Sequence, residues 1–375
     1  MFTPKLTKET RFKLKWLGIY YAALLVWLGT TALHVPDGYM SPETSIILFL
    51  LVLPFWIIGL RKVRQNMSAR SVPLIALMAA FSYVIMMFNI PLPGGTTGHA
   101  VGATLAAIIL GPEIAVIAVS IALIIQAVFF GDGGILAIGA NCFNIGVVVP
   151  YVAYGVYRAF AKDTPITSAR RVIGAAVAGW VGLNTAAFIT SVQFGLQPLL
   201  FTGADGAPLY APYPLAVAIP AVMIPHILVA SVVEGVLTAL VIAYLQRSNV
   251  AVLETAEKPA MAAEAGGITK LRGLWVGMAV LIVASPLGLL APGTAWGEWG
   301  TEELTEMGLP AIPAGLERLS TLWGAPIADY DLPMLGNANL GYIISAIVGI
   351  AITALVVWLF TMLLTRGVSS QKQNT

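Results

Sequence analysis

Apolar stretches long enough to cross a bilayer recur along the whole 375-residue chain, and no other feature limits its fold so strongly. They run at about 45–60, 71–89, 100–110, 113–130, 139–157, 172–197, 214–245, 272–291 and 338–365. Most approach the roughly 17–25 residues that a helix needs to span hydrocarbon, and only 100–110 is short. Charged residues make up 10% of the sequence and hydrophobic residues 58%, with a mean hydropathy of +0.86. A soluble domain carries roughly 25% charge, and no water-soluble packing hides this much apolar surface. In lipid an open sheet leaves backbone polar groups unpaired. The expected fold class is therefore all-α, a polytopic transmembrane helical bundle of nine spans.

Lysine and arginine set the orientation. Basic residues cluster at Arg61–Arg70, at Arg158, Lys162, Arg170 and Arg171, between Arg247 and Arg272, and in the tail at Arg366 and Lys372, which marks those segments as cytoplasmic. Threading the spans between them puts the segment from Leu33, the Pro91–His99 loop, the Gly131–Gly134 turn, the 198–213 loop and all of 292–337 on the outer side. The last of these carries seven carboxylates, among them Glu298, Glu303 and Asp329, against Arg318 alone, and is too polar to span. Residues 248–270 are Ala/Glu-rich with little periodicity and read as a cytoplasmic linker. The chain thus divides into a body of about seven spans over 33–247, the linker, and a two-span region over 271–375 with an external acidic loop. No long internal repeat is visible, so an inverted-repeat carrier is not supported. The net charge of +2 is scattered over short loops and gives no footprint for nucleic acid.

The first 32 residues hold Lys5, Lys8, Arg11, Lys13 and Lys15, an apolar core from about Trp16 to Leu28, and a small-residue exit, Gly29-Thr30-Thr31-Ala32. This is the grammar of a secretory signal cleaved after Ala32, and an uncleaved first transmembrane helix fits the same residues. The lone Cys142 excludes an internal disulfide framework and a Cys-rich metal site. The sequence has no phosphate loop, no Gly-x-Ser-x-Gly elbow and no His-Glu-x-x-His motif, so an enzyme is not expected. The spans also lack the charged relays of most ion-coupled carriers, which leaves a separate ATPase as the energy source for uphill transport.

Of three histidines, His34 and His99 fall on the outer side. Cleavage after Ala32 would make Leu33 a free amine with His34 next to it. The amine, the deprotonated amide of residue two and its imidazole form a three-nitrogen planar chelate, which His99 would close to a square suited to Ni(II), Cu(II) or Co(II). The plainer reading makes His34 an interfacial side chain and His99 a helix cap. His226 and Glu234 lie eight residues apart in one span, an intramembrane ionisable pair by default, although a histidine at the Pro225 kink is as often a packing element. Asn144, Asn184 and Gln193 lie within or at the ends of spans and are expected to face the bundle interior.

The stretch His34-Val35-Pro36-Asp37-Gly38-Tyr39-Met40-Ser41-Pro42 resembles the N-terminal signature of the CbiM/NikM family, the substrate-binding membrane components of energy-coupling factor transporters for cobalt and nickel. Gly98-His99, Leu110-Gly111-Pro112, Gln126 through Gly134 and Gly139 through Gly146 match in the same order, and His226 through Gly235 sits where the family has a similar segment. Ala284 through Trp299 is similar to the small NikN/CbiN or PDGLE-type accessory subunit of fused forms. The resemblance implies substrate capture of Co2+ or Ni2+ at the outer face of a prokaryotic cell membrane, with no permanently bound cofactor. It also implies a transmembrane coupling protein and two cytoplasmic ATPase subunits as partners. It implies Leu33, His34 and His99 as metal ligands, and because the family's usual start is Met-His, it makes leader cleavage a requirement of the site. Gln126, Asn141 and Asn144 are candidates for hydrogen bonds that orient His99 or the N-terminal loop. The competing class is a stand-alone secondary carrier or channel for an organic solute, with incidental histidines.

Overall fold

The structure, a computed structural model, describes residues 33–66, 72–92, 96–258, 271–291, 294–309 and 311–369. The expected leader and its cleavage point after Ala32 lie outside these residues, as do Pro93–Gly95 of the glycine-rich turn and the second half of the expected linker.

Helix α1 (Pro42–Asn66) starts at Ser41, whose Oγ accepts the Thr44 amide at 3.1 Å, and carries Pro42 in its first turn, where a missing N–H costs nothing. It is followed by α2 (Val72–Met86), a two-stranded antiparallel hairpin of β1 (Ile90–Leu92) and β2 (Thr96–Gly98), and α3 (Ala103–Leu110). The long helices α4 (Pro112–Phe130), α5 (Ile138–Ala161), α6 (Ala169–Leu200) and α7 (Leu215–Ser248) complete the body. The C-terminal region adds α8 (Arg272–Leu290), the short α9 (Thr301–Glu306) and α10 (Ala314–Ser320), and α11 (Ala338–Ser369).

Among the described residues, α1, α4, α5, α6, α7, α8 and α11 are long and apolar enough to cross a membrane. The helical bundle stands; of the nine expected spans, 71–89 gives a shorter helix than the sequence suggested and 100–110 is short, as its length implied. The 71–89 segment yields the 15 residues of α2, and 100–110 yields the eight of α3. Gly102 (φ 68°) and Gly111 (φ 82°) bracket α3 in conformations that other residues avoid, which limits it to about 12 Å of rise. All eight of its residues are buried, as are Thr97 to Gly102 before it, so the turn that leads into α3 carries non-helical backbone inside protein, where lipid does not reach it.

Three helices contain a π-helical turn: α4 at Gln126–Phe130, α5 at Cys142–Val148 and α7 at His226–Ala230. Each holds a polar residue that the sequence singled out, respectively Gln126, Asn144 and His226. One extra residue per turn rotates such a side chain inward without ending the helix, and single π turns occur often at functional sites. Small residues bring helices together in the absence of a hydrophobic drive within lipid. A Cβ on Gly235 of α7 would lie 2.5 Å from the Ala176 carbonyl oxygen of α6, and one on Gly179 would lie 2.8 Å from the Gly235 Cα.

Segments that the charge pattern put on one side of the membrane meet at one end of the bundle. At the basic end Arg158 and Arg171 reach Glu257 at 3.3 and 3.0 Å, and the Gln246 amide donates to the Ile166 and Ser168 carbonyls. Here the first part of the expected linker is packed, with Val252 and Leu253 buried. At the other end the Gly134 amide donates to Val35, Ala211 to Tyr39, Gly315 to Leu209 and Ile327 to Phe129, all at 2.8–3.1 Å. The acidic 294–337 stretch is therefore a folded cap, held by buried Trp296, Trp299, Leu316 and Tyr330.

Candidate metal site

The chain before α1 is buried backbone held by side chains of α5 and α6 and by backbone amides of the turn that leads into α5. Leu33, His34 and Val35 are at most 2% exposed. Asn141 brackets Val35, accepting its N–H at 2.7 Å and donating to its carbonyl at 3.1 Å. Asp37 accepts the amides of Ile135, Leu136 and Ala137, and Ser41 donates to Gln197 at 2.9 Å. The Gly-Asp-Gly-Gly turn must come close to this loop. A Cβ on Gly133 (φ 88°) would sit 2.7 Å from the Asn141 amide, and one on Gly134 would collide with Asp37.

These contacts aim His34 at His99. The two imidazole centroids lie 4.9 Å apart with planes tilted by 44°, although the residues are carried by separate loops. His34 is 1% and His99 8% exposed. The His34 Nδ1 bonds to the Asp132 carboxylate, while its buried Nε2 has no hydrogen-bond partner. Asp132 also accepts from Gln126 Nε2 at 3.0 Å and from the Tyr330 hydroxyl at 2.5 Å. Tyr330 comes from the C-terminal cap and is stacked on Phe130 at 4.8 Å. The Glu298 carboxylate, from the same cap, lies against the His34 backbone N–H, and its Oε1 has no hydrogen-bond partner.

Burial, assisted by neighbouring His34, lowers the His99 pKa to about 4, so this imidazole is neutral at physiological pH, the form that binds metal. Burial works against the charged form of Asp132, but the adjacent His34 and the hydrogen bonds from His34 and Tyr330 outweigh it and hold the carboxyl below its ordinary range. Burial, then the charge of Asp132, pushes Glu298 well above the usual carboxylate range. A negative charge is thus concentrated on Asp132 beside two imidazoles. A cavity of about 260 Å³ opens on His99, Asp132 and Glu298, and a second of about 490 Å³, reaching Glu303, shares Glu298 and Asp329 with it. Among the described residues no group of three or more His, Cys, Asp or Glu side chains is arranged to hold a metal. A site of two imidazoles and two backbone nitrogens does not need one.

Of the residues expected to orient the site, Asn141 binds the N-terminal loop and Gln126 acts through Asp132. Asn144 touches neither His99 nor that loop; its amide is paired with Gln193 in two hydrogen bonds of 2.7 and 2.9 Å, which joins α5 to α6. His226 and Glu234 are both buried but have no mutual salt bridge. His226 Nδ1 pairs with the Val222 carbonyl at 2.9 Å, and Glu234 binds backbone amides of residues 101–104. Asp132 and Tyr330 escaped the sequence reading because their relevance depends on contacts across the fold. The only local signal was the run of glycines around Asp132.

Asn141→Ala is expected to destabilise the chain by about 2 kcal/mol, since it removes two buried hydrogen bonds and leaves the Val35 N–H without an acceptor. A lower thermal midpoint of the purified protein in detergent checks this. An unchanged midpoint would show that the loop does not depend on this bracket.

The model of the cobalt uptake substrate-specific transmembrane region matches residues 34–252, and that of the PDGLE domain matches 272–366. The fused nickel transport protein NikMN of Rhodobacter capsulatus is 49% identical over 85% of this chain and 94% of its own length. The probable fused nickel transport protein LarMN of Lactiplantibacillus plantarum is 39% identical over 87% and 96%. The cobalt transport protein CbiM of Geobacter sulfurreducens is 30% identical over 72% and 76%. A crystal structure of a transition metal transporter, 48% identical, superposes with a TM-score of 0.54 over 57% of this chain and 92% of that one.

Proposed function

Since this chain belongs to the family of cobalt uptake substrate-specific transmembrane proteins, continued by a PDGLE domain, we propose that it captures a divalent nickel or cobalt ion at the outer face of a prokaryotic cell membrane and delivers it to an energy-coupling factor importer. The observation that carries this reading is the meeting of His34 and His99 in a buried site, with ring centroids 4.9 Å apart. Nickel is the first metal to test, because the Rhodobacter capsulatus and Lactiplantibacillus plantarum relatives, which are fused proteins, are named as nickel transport proteins.

The ligands proposed are the Leu33 amine exposed by leader cleavage, the His34 amide and imidazole, and His99. In an amine–amide–imidazole chelate the ring nitrogen that closes the second chelate ring is Nδ1. His34 therefore exchanges the Asp132 carboxylate for the ion, and Asp132, held by Gln126 and Tyr330, remains as a nearby counter-charge. Nitrogen donors in one plane suit Ni(II) and tolerate Co(II). The first cavity opens from the cap onto Asp132 and His99, and the negative charge of Asp132 raises the local cation concentration there. Reorientation and release are driven by a transmembrane coupling protein with two ATPases.

Isothermal titration of nickel into the purified chain, into His34→Ala and into His99→Ala tests the site. Strong binding by the first and weak binding by both variants is the expected result; equal affinity in all three rejects it in favour of a carrier with incidental histidines.

A further inference from the structure

His99 is carried by irregular backbone between β2 and α3, yet a metal site requires each donor to be placed within about 0.5 Å. Something outside this turn must supply that precision. The N-terminus of α3 offers amides that its own sequence cannot satisfy, because the capping residue is Gly102, which has no side chain. The acceptor comes from α7. Glu234 Oε2 accepts the Val101 and Gly102 amides, both at 2.9 Å, and Oε1 accepts Thr104 at 3.3 Å. The Ser82 hydroxyl of α2 donates to the Val101 carbonyl at 2.6 Å.

Glu234 is itself fully buried, in a span where a carboxyl group is tolerated only with strong polar compensation. Its position is fixed by the neighbouring residue. Gly235 brings α7 into backbone contact with α6, which leaves little room for α7 to slide. Only Ala100, buried, separates the anchored Val101 from His99.

We propose that Glu234 is a positioning residue for the substrate ion: by holding the Val101–Thr104 backbone it sets the His99 imidazole against His34. This rests on the metal-site reading above. It also assigns a role to an intramembrane carboxyl group that the sequence had paired with His226.

The test uses the full chain with Glu234→Gln, Glu234→Asp and Glu234→Ala, each also combined with His99→Ala. Nickel affinity, the visible absorption of the Ni(II) complex and, without metal, hydrogen exchange of residues 99–104 are measured. Removal of a group that orients a ligand typically costs 10–100-fold in metal affinity, so Glu234→Ala and Glu234→Gln are expected to weaken nickel binding by about that factor. The absorption band is expected to shift as His99 leaves the plane, Glu234→Asp to recover part of the affinity, and the Val101, Gly102 and Thr104 amides to exchange faster. In the His99→Ala background the further loss is expected to be no more than about threefold, since coupled residues are not additive. Wild-type affinity and spectrum in Glu234→Gln, or the same loss with and without His99, would overturn the inference alone. Nickel binding that is indifferent to His99 overturns the metal-site reading and this inference with it. Should Glu234→Ala fail to fold, Glu234→Gln decides.

Discussion

Nickel affinity is expected to fall by about three orders of magnitude or more in His34→Ala and by on the order of a hundredfold in His99→Ala, since each tenfold step is about 1.4 kcal/mol and His34 contributes more of the site. Replacing the His34 side chain deletes a donor and also opens the chelate ring that joins that donor to the backbone amide. The His99 imidazole binds through one atom, so its loss removes one bond and leaves the three-nitrogen chelate intact. The two variants should differ in spectrum as well. His99→Ala keeps an amine–amide–imidazole set that water or Glu298 completes, whereas His34→Ala keeps no such set. Saturating metal should raise the unfolding midpoint of the wild type, because a ligand at 1,000 times its Kd stabilises the folded state by about 4 kcal/mol, and should raise that of His34→Ala little. Calorimetry and thermal unfolding of the same samples measure both. A ranking in which His99→Ala is the weaker binder would mean that the chelate is not the core of the site.

The fold was legible wherever a residue's environment is the membrane itself. The apolar runs that became α1 and α4 to α8 could be read because lipid imposes one composition on a whole segment, and the basic loops at Arg158 and Arg171 could be grouped because one side of the membrane attracts them. Length failed as a guide at α2, whereas the segment of α3 had already read as short for a span. Both are buried in protein, so hydropathy remained high while Gly102 and Gly111 ended the shorter helix early. In the site, His34 and His99 stood out because histidine is scarce in this chain. Asp132 did not, since its partners are Gln126 nearby and Tyr330 in the C-terminal cap, 198 positions away. Glu234 shows the limit of spacing arguments more sharply. Eight residues along a helix suggested a pair with His226, but the side chain instead answers a need created by a glycine 132 positions before it. Asn144 had the right residue type and the wrong neighbour, because a helix register read from sequence does not say which facing helix will supply Gln193.

A variant that keeps its leader, such as Ala32→Arg, is expected to bind nickel no better than His34→Ala. In the uncleaved chain the Leu33 nitrogen is a peptide amide with its lone pair delocalised into the carbonyl, so it cannot take the place of an amine. The His34 amide then loses the five-membered ring through which the amine anchors the ion, and without that anchor its deprotonation at neutral pH is no longer driven. Two of four donors are lost by one failed cleavage, with every side chain of the site still present. Leu33 and His34 are both buried, so a free amine at Leu33 is driven to give up its proton and bind the ion, since burial disfavours its charged form. Intact mass or N-terminal sequencing decides which form is in hand: the wild type should begin at Leu33 and the variant at Met1. Tight, His34-dependent nickel binding by protein that still begins at Met1 would remove the amine from the ligand set and require another donor, for which the Asp132 carboxylate beside His34 is the candidate.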